Sequence, residues 1–112
     1  MESGSIRDRQ ISASSEYPSH NVGHSAYGGR LHFQETLQKA GGWSAAQVDA
    51  NQWLQVDLGT QHRVTRLATQ GRNGYDQWVT KFNLQYSDYG GIFQFYREQG
   101  QIVKKVNHTS LC

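Results

Sequence analysis

The chain has 112 residues, of which 36% are hydrophobic, 12% aromatic and 18% charged, with a formal net charge of +2. That composition supports one globular domain with a single modest core, and it excludes a disordered chain and a coiled coil. The basic residues are scattered, with only Lys104 and Lys105 adjacent, so the charge describes a solvated surface and not the clustered stripe of a nucleic-acid binder.

In chain order, residues 10–15 (QISASS) alternate Ile11 and Ala13 with small polar side chains and predict a short strand. Residues 17–29 (YPSHNVGHSAYGG) carry turn formers without periodicity and predict a long loop, a kind of segment that is usually functional in a compact domain. A short helical turn is expected over residues 35–39, closed by Gly41-Gly42. The stretch NQWLQVDLG then sets Trp53, Gln55 and Asp57 on one face of a strand and Leu54, Val56 and Leu58 on the other, ending at Gly59. Residues 63–71 (RVTRLATQG), β-branched at their start, predict another strand. Asn73-Gly74, inside RNGYDQ, is a strong short hairpin signal.

The clearest run is WVTKFNLQYS, with Trp78, Thr80, Phe82, Leu84 and Tyr86 facing one way. A turn follows at residues 88–91, and residues 92–99 (IFQFYREQ) alternate again. In the tail, Ile102, Val103 and Val106 offer one more strand with poor periodicity, and Asn107-His108-Thr109 is a glycosylation sequon at Asn107. Short strands at near-regular spacing with glycine turns predict an all-β sandwich or barrel. No apolar run approaches membrane-spanning length, and no signal peptide opens the chain, as expected of a domain cut from a longer protein. The single cysteine, Cys112, has no intramolecular partner.

Taken in order, MESGSIRDRQISASS, GRLHFQ, GGW, NQWLQVDLG, VTRLATQGR, QWVTKFNLQYSDYG and FQFYREQGQ resemble the discoidin domain, also called the C-type domain of coagulation factors V and VIII. The resemblance runs from residue 1 to about residue 101 and implies a discoidin-like jelly-roll β-sandwich of eight strands, with spike loops at one end. Residues 102–112 read as a divergent tail, so the jelly roll is expected to lack its last strands. The cysteine that the family carries before the MESG segment has no counterpart here, which leaves Cys112 outside the family's terminal disulfide. Related modules bind anionic phospholipid head groups, galactose-type sugars, collagen or protein partners, and sit in secreted or cell-surface proteins.

By position, three segments correspond to the spikes. Residues 17–28 place Tyr17 beside a tip of His20, Asn21, Val22 and His24. A valine contributes about 1.5 kcal/mol or less on partial burial, too little to anchor a domain in a membrane, so this loop favours polar ligands. Residues 33–41 carry Gln34, Glu35, Leu37 and Lys39, and Leu37 is expected to pack under its loop as a satellite of the core. In residues 72–77, Arg72 and Tyr75 make a pair suited to a sugar or carboxylate, because arginine offers a planar donor fork and tyrosine a flat apolar face. The bland readings are a solvated glycine-rich loop for the first segment and an ordinary turn for the third.

His20 and His24 are four residues apart, but their loop is not helical. With His32, His62 and His108 scattered and no cysteine inside the domain, no zinc set forms, and no metal ligand is assigned. Some sugar-binding relatives hold calcium in loops; Asp8, Asp49 and Asp76 form no such motif, so no cofactor is assigned and calcium stays unsupported. No catalytic signature is present, and Ser14 and Ser15 read as local hydrogen-bonders, so the chain is not expected to be an enzyme.

The leading expectation is an extracellular adhesion or recognition module that binds a glycan or a cell-surface partner, such as a receptor or a collagen-like protein, through the spike loops. On a sugar, Tyr17, Tyr27 or Tyr75 would stack while Arg72, His20 or Asn21 hydrogen-bond. The alternatives are peripheral binding to phosphatidylserine membranes through Val22 and Leu37, and a truncated fragment without autonomous binding.

Overall fold

The alternation read in residues 10–15 and 51–59 builds the first ladder. In the computed structural model, which describes residues 4–88, 91–98, 101–102 and 104–106, strand β1 (Ile11–Ala13) runs antiparallel to β2 (Leu54–Val56). Ile11 lies opposite Val56, Ser12 opposite Gln55 and Ala13 opposite Leu54. Ile11 is buried, Ser12 exposed and Ala13 half-buried, as a period of two requires. Around β2, Leu54, Val56 and Leu58 are half-buried, while Trp53 and Asp57 face solvent. The strand ends at Val56, and Gly59 turns the chain beyond it with φ +82°, its N–H donating to Asp57 Oδ1 at 2.8 Å.

Among the described residues the buried core cluster is Ile11, Ala26 and Trp43, with Ile6, Ala13, Ala45 and Leu54 packed around them. The Trp43 indole N–H donates to the Ser15 carbonyl at 2.8 Å, which ties the core to the end of β1. Ser14 and Ser15, expected to bond locally, instead bond residues far along the chain. Both hydroxyls donate to the Gln52 side-chain oxygen, at 2.8 and 2.6 Å, and the Trp53 N–H donates to Ser14 Oγ at 2.9 Å.

The second half holds β3 (Lys81–Asn83), β4 (Gln85–Tyr86), β5 (Gln94–Phe95), β6 (Arg97–Glu98), β7 (Gln101–Ile102) and β8 (Lys104–Val106). β3 pairs with β8, β4 with β5 and β6 with β7, all antiparallel. The long run over residues 78–87 therefore divides at Leu84, whose carbonyl accepts the Tyr96 N–H at 2.8 Å. Over residues 81–85 the faces follow the period, with Phe82 and Leu84 half-buried and Lys81, Asn83 and Gln85 exposed; beyond them they do not, since Trp78, Thr80 and Tyr86 are exposed while Val79 and Ser87 are half-buried. The tail supplies β8, which sets Val106 opposite Lys81. Among the described residues helical geometry is confined to two 3₁₀ turns, Asp8–Gln10 and Ala26–Gly28, so the architecture is all-β. Asn107, His108 and Cys112 lie outside the described residues, and the turn at residues 88–91 is described only at its ends.

Two expected elements do not form. Residues 63–71 belong to no ladder, and Val64 and Leu67 are exposed. β-branching favours a strand where a neighbouring strand and a core receive it, and here neither does. Residues 35–39 are not helical either: the Thr36 N–H donates to the Lys39 carbonyl at 2.8 Å, while Thr36 Oγ1 accepts the N–H groups of Gln38 and Lys39. The threonine hydroxyl offers the backbone an alternative to helical bonds, and a tight turn results.

Trp43 is the test of this core. Trp43→Ala is expected to cost about 3–5 kcal/mol, the usual range for deleting a large buried aromatic. Trp43→Phe should cost about 1–3 kcal/mol, because the Ser15 carbonyl loses its donor. Denaturant melts of the two variants measure both values.

Candidate binding loops

Three loops, residues 17–28, 33–41 and 72–77, are tied to one another by backbone contacts. The Gly23 N–H donates to the Gln38 carbonyl and the Ala40 N–H to the Gly23 carbonyl, each at 2.8 Å, so Gly23 forms a parallel bridge with Lys39. The Asn73 N–H donates to the Gly41 carbonyl at 3.2 Å, and Asn73 Oδ1 accepts the Glu35 N–H at 3.0 Å. A Cβ at position 41 would sit 2.5 Å from Asn73 Cβ and 2.7 Å from its carbonyl oxygen. Only glycine permits that approach.

The expected turn at Asn73-Gly74 is present, with Gly74 at φ +84°. It is not a hairpin between two strands, because neither flank belongs to a ladder, and Asn73 pairs with Gly41 instead. Within this loop the Arg72 N–H donates to the Gln77 carbonyl at 2.9 Å and Arg72 Nη1 to Gln77 Oε1 at 2.8 Å. The guanidinium carbon lies 3.9 Å from the centroid of the Tyr75 ring. Arg72 Nε is buried without a partner among the described residues. Arginine and tyrosine therefore form one stacked unit, braced by a glutamine that the sequence reading did not single out.

In the first loop Tyr17, His20 and Asn21 are exposed and Val22 is half-buried. His24 does not belong to the tip. It is buried, with the Tyr17 ring 5.3 Å away at 76° and Ser44 Oγ 3.2 Å from Nδ1. Burial, and then the charge of Arg72, lower its pKa from the ordinary 6.5, so the folded domain favours neutral imidazole. The glycine-rich chain around His24 brings it against Ser44, a contact that its sequence position does not reveal.

In the second loop Leu37 is 96% exposed. The expectation that it packs under its loop is overturned, because the turn closed by Thr36 and Lys39 projects residue 37 outward. Lys39 stands over the Tyr27 ring, Nζ 5.1 Å from its centroid, and Tyr27 meets Phe33 edge-on at 6.1 Å. A further exposed aliphatic, Val48, was missed by the sequence reading. It follows Ala46, whose N–H donates to Ser15 Oγ at 3.0 Å near the root of the first loop. The signal available was a lone valine between Gln47 and Asp49 in a stretch without periodicity. Among the described residues no three His, Cys, Asp or Glu side chains gather in a way that could hold a metal ion.

Converging loops on a β scaffold are a general arrangement, and comparison with known proteins decides which one this is. The family model for the F5/8 type C domain matches residues 10–110. The chain belongs to the F5/8 type C domain family. It is accordingly a β-sandwich and, in class, a binding module. It is 37% identical over 102 residues to lactadherin of Rattus norvegicus and to lactadherin of Mus musculus, and 33% identical over 108 residues to lactadherin of Sus scrofa. These matches cover 89%, 89% and 95% of this chain but 24%, 22% and 26% of the relatives, so the chain spans about a quarter of their length.

Two expectations follow from the geometry. Gly41→Ala should destabilise the domain by about 1–3 kcal/mol, the range for overpacking, and should loosen residues 72–77. Amide hydrogen exchange at Asn73 will show whether the bond to Gly41 is lost. For His24 the depressed pKa sets the sign. The unfolded chain takes up a proton as pH falls through 6.5 while the folded chain resists it, so this contribution is complete above that pH and is lost below it. Melts from about pH 8 to about pH 5 should show a decline that His24→Gln flattens.

Proposed function

We propose that this F5/8 type C domain is an extracellular recognition module whose loop end docks on anionic phospholipid membranes. Leu37 carries the reading. A leucine 96% exposed at the tip of a tight turn gains nothing in water and is free to enter an apolar interface. Inserting it is worth about 1.5–3 kcal/mol, and a basic side chain near a phosphatidylserine surface adds about 1 kcal/mol. Lys39, two residues on, is exposed, and its charge supports the reading because it would meet head groups as Leu37 enters. Those contributions amount to about 2.5–4 kcal/mol, a dissociation constant of about 1 mM at the tightest, so one module holds weakly and firm attachment requires several engaged together. The similarity to lactadherins agrees with a recognition role but does not name the ligand.

The second reading is a glycan or cell-surface protein at Arg72 and Tyr75, favoured by the stacked guanidinium and by Tyr75 being 58% exposed. A flat apolar face beside fixed donors suits a sugar ring or a carboxylate. Because Arg72 also braces its loop through Gln77, Arg72→Lys is a sounder probe than alanine: it keeps the charge and removes the fork.

Vesicle co-sedimentation separates the two. The domain should sediment with phosphatidylserine vesicles and not with phosphatidylcholine vesicles, and binding should fall as salt screens the attraction. Leu37→Asp should lower it at least tenfold with an unchanged melting temperature. Binding indifferent to lipid charge would remove the membrane reading, while loss of sugar-column retention in Arg72→Lys would support the glycan.

A further inference from the structure

Asn73-Gly74 is the one Asn-Gly pair in the sequence. Glycine leaves its amide nitrogen unshielded by a side chain, which makes this the least hindered sequence for attack by a backbone nitrogen on the preceding asparagine side chain. Three observations place the reacting groups in a favourable setting. Among the described residues the Gly74 N–H makes no hydrogen bond, and Gly74 is exposed, so the nucleophile is not tied up. Asn73 Oδ1 accepts the Glu35 N–H at 3.0 Å, so the carbonyl to be attacked is already polarised by a fixed donor. The Glu35 carboxylate lies against Gly74: a Cβ there would be 2.6 Å from its Cδ and from each oxygen. A general base thus stands against the Gly74 Cα, one bond from the nitrogen that must lose its proton.

We propose that Asn73 is a spontaneous deamidation site of the folded domain, with Glu35 as the base, and that its conversion releases the third loop from the second. Glu35 takes the proton from the Gly74 nitrogen, which bonds to Asn73 Cγ. The oxygen of the tetrahedral intermediate is held by the Glu35 N–H. The Cγ–Nδ2 bond then breaks, and ammonia leaves with the proton returned from Glu35, giving a five-membered succinimide. Water opens the ring at one of its two carbonyls, yielding aspartate or isoaspartate. The net change is the gain of one water and the loss of one ammonia, and no oxidant or reductant takes part.

The setting of Asn73 makes the product disruptive. Isoaspartate lengthens the backbone by a methylene where Gly41 already admits no extra atom. Either product also sets a second carboxylate beside that of Glu35. The Asn73 N–H bond to Gly41, the only backbone bond between loops two and three among the described residues, is the first contact to fail.

The test incubates the full chain, folded, at mildly alkaline pH and follows each asparagine by peptide mapping with isoaspartate detection. Asn73 is expected to convert ahead of Asn21, Asn51 and Asn83. Glu35→Gln keeps the backbone donor but removes the base, and should slow conversion several-fold in the folded chain while leaving the rate in denaturant unchanged. The converted fraction, separated by ion exchange, should melt lower than fresh protein. An Asn73 that keeps its amide while other asparagines convert overturns the proposal. So does a Glu35→Gln rate equal to wild type, and an unaltered melt of the converted fraction overturns the release of the loop.

Discussion

The loop end depends on one steric constraint, the approach of the Gly41 backbone to Asn73. Loops two and three meet there with no room for a side chain at position 41. From that contact the arrangement propagates both ways. Toward loop one, Ala40 and Gln38 bond Gly23; toward loop three, Asn73 fixes the turn on which Arg72 stacks over Tyr75. Buried backbone groups must find partners somewhere, and in these loops they find them in one another. The loops thus form one unit with two exposed features, Leu37 and the arginine–tyrosine stack.

That unit rests on a small core. Trp43 follows directly on the Gly41-Gly42 pair, and its indole N–H reaches back to Ser15 at the end of β1. The tryptophan therefore spans two roles, filling the space between Ile11 and Ala26 while fixing where the second loop leaves the scaffold. Nearby, Glu16 accepts the Ala26 N–H at 2.7 Å, and Gln52 gathers the two serine hydroxyls. Polar side chains supply the ties that so few apolar residues cannot.

The charged groups divide into those that hold the scaffold and those that stay exposed. Arg30 and Asp8 form an ion pair at 2.7 Å, with Arg30 largely covered. Lys39 lies over Tyr27 yet stays exposed, keeping its charge in water while its partner ring fixes its direction. Arg72 acts at closer quarters, stacking on Tyr75 and disfavouring a proton on His24. Arginine serves both purposes because its guanidinium stays charged while packed flat.

The residue pattern by itself determined the all-β class, the face pattern of β1 and β2 and the turn at Asn73-Gly74. These follow from period-two alternation and from glycine and asparagine backbone preferences, which act locally. The family resemblance was legible for the same reason, in segments such as NQWLQVDLG whose side chains face a core. Only the tertiary structure decided that Leu37 points outward and His24 inward, since exposure depends on which neighbour a turn leaves in contact. It also decided that residues 63–71 form no strand despite their β-branched start, and that the weakly patterned tail lies beside Lys81–Asn83 as β8. Strand pairing is a property of two segments at once, and neither one's sequence names the other.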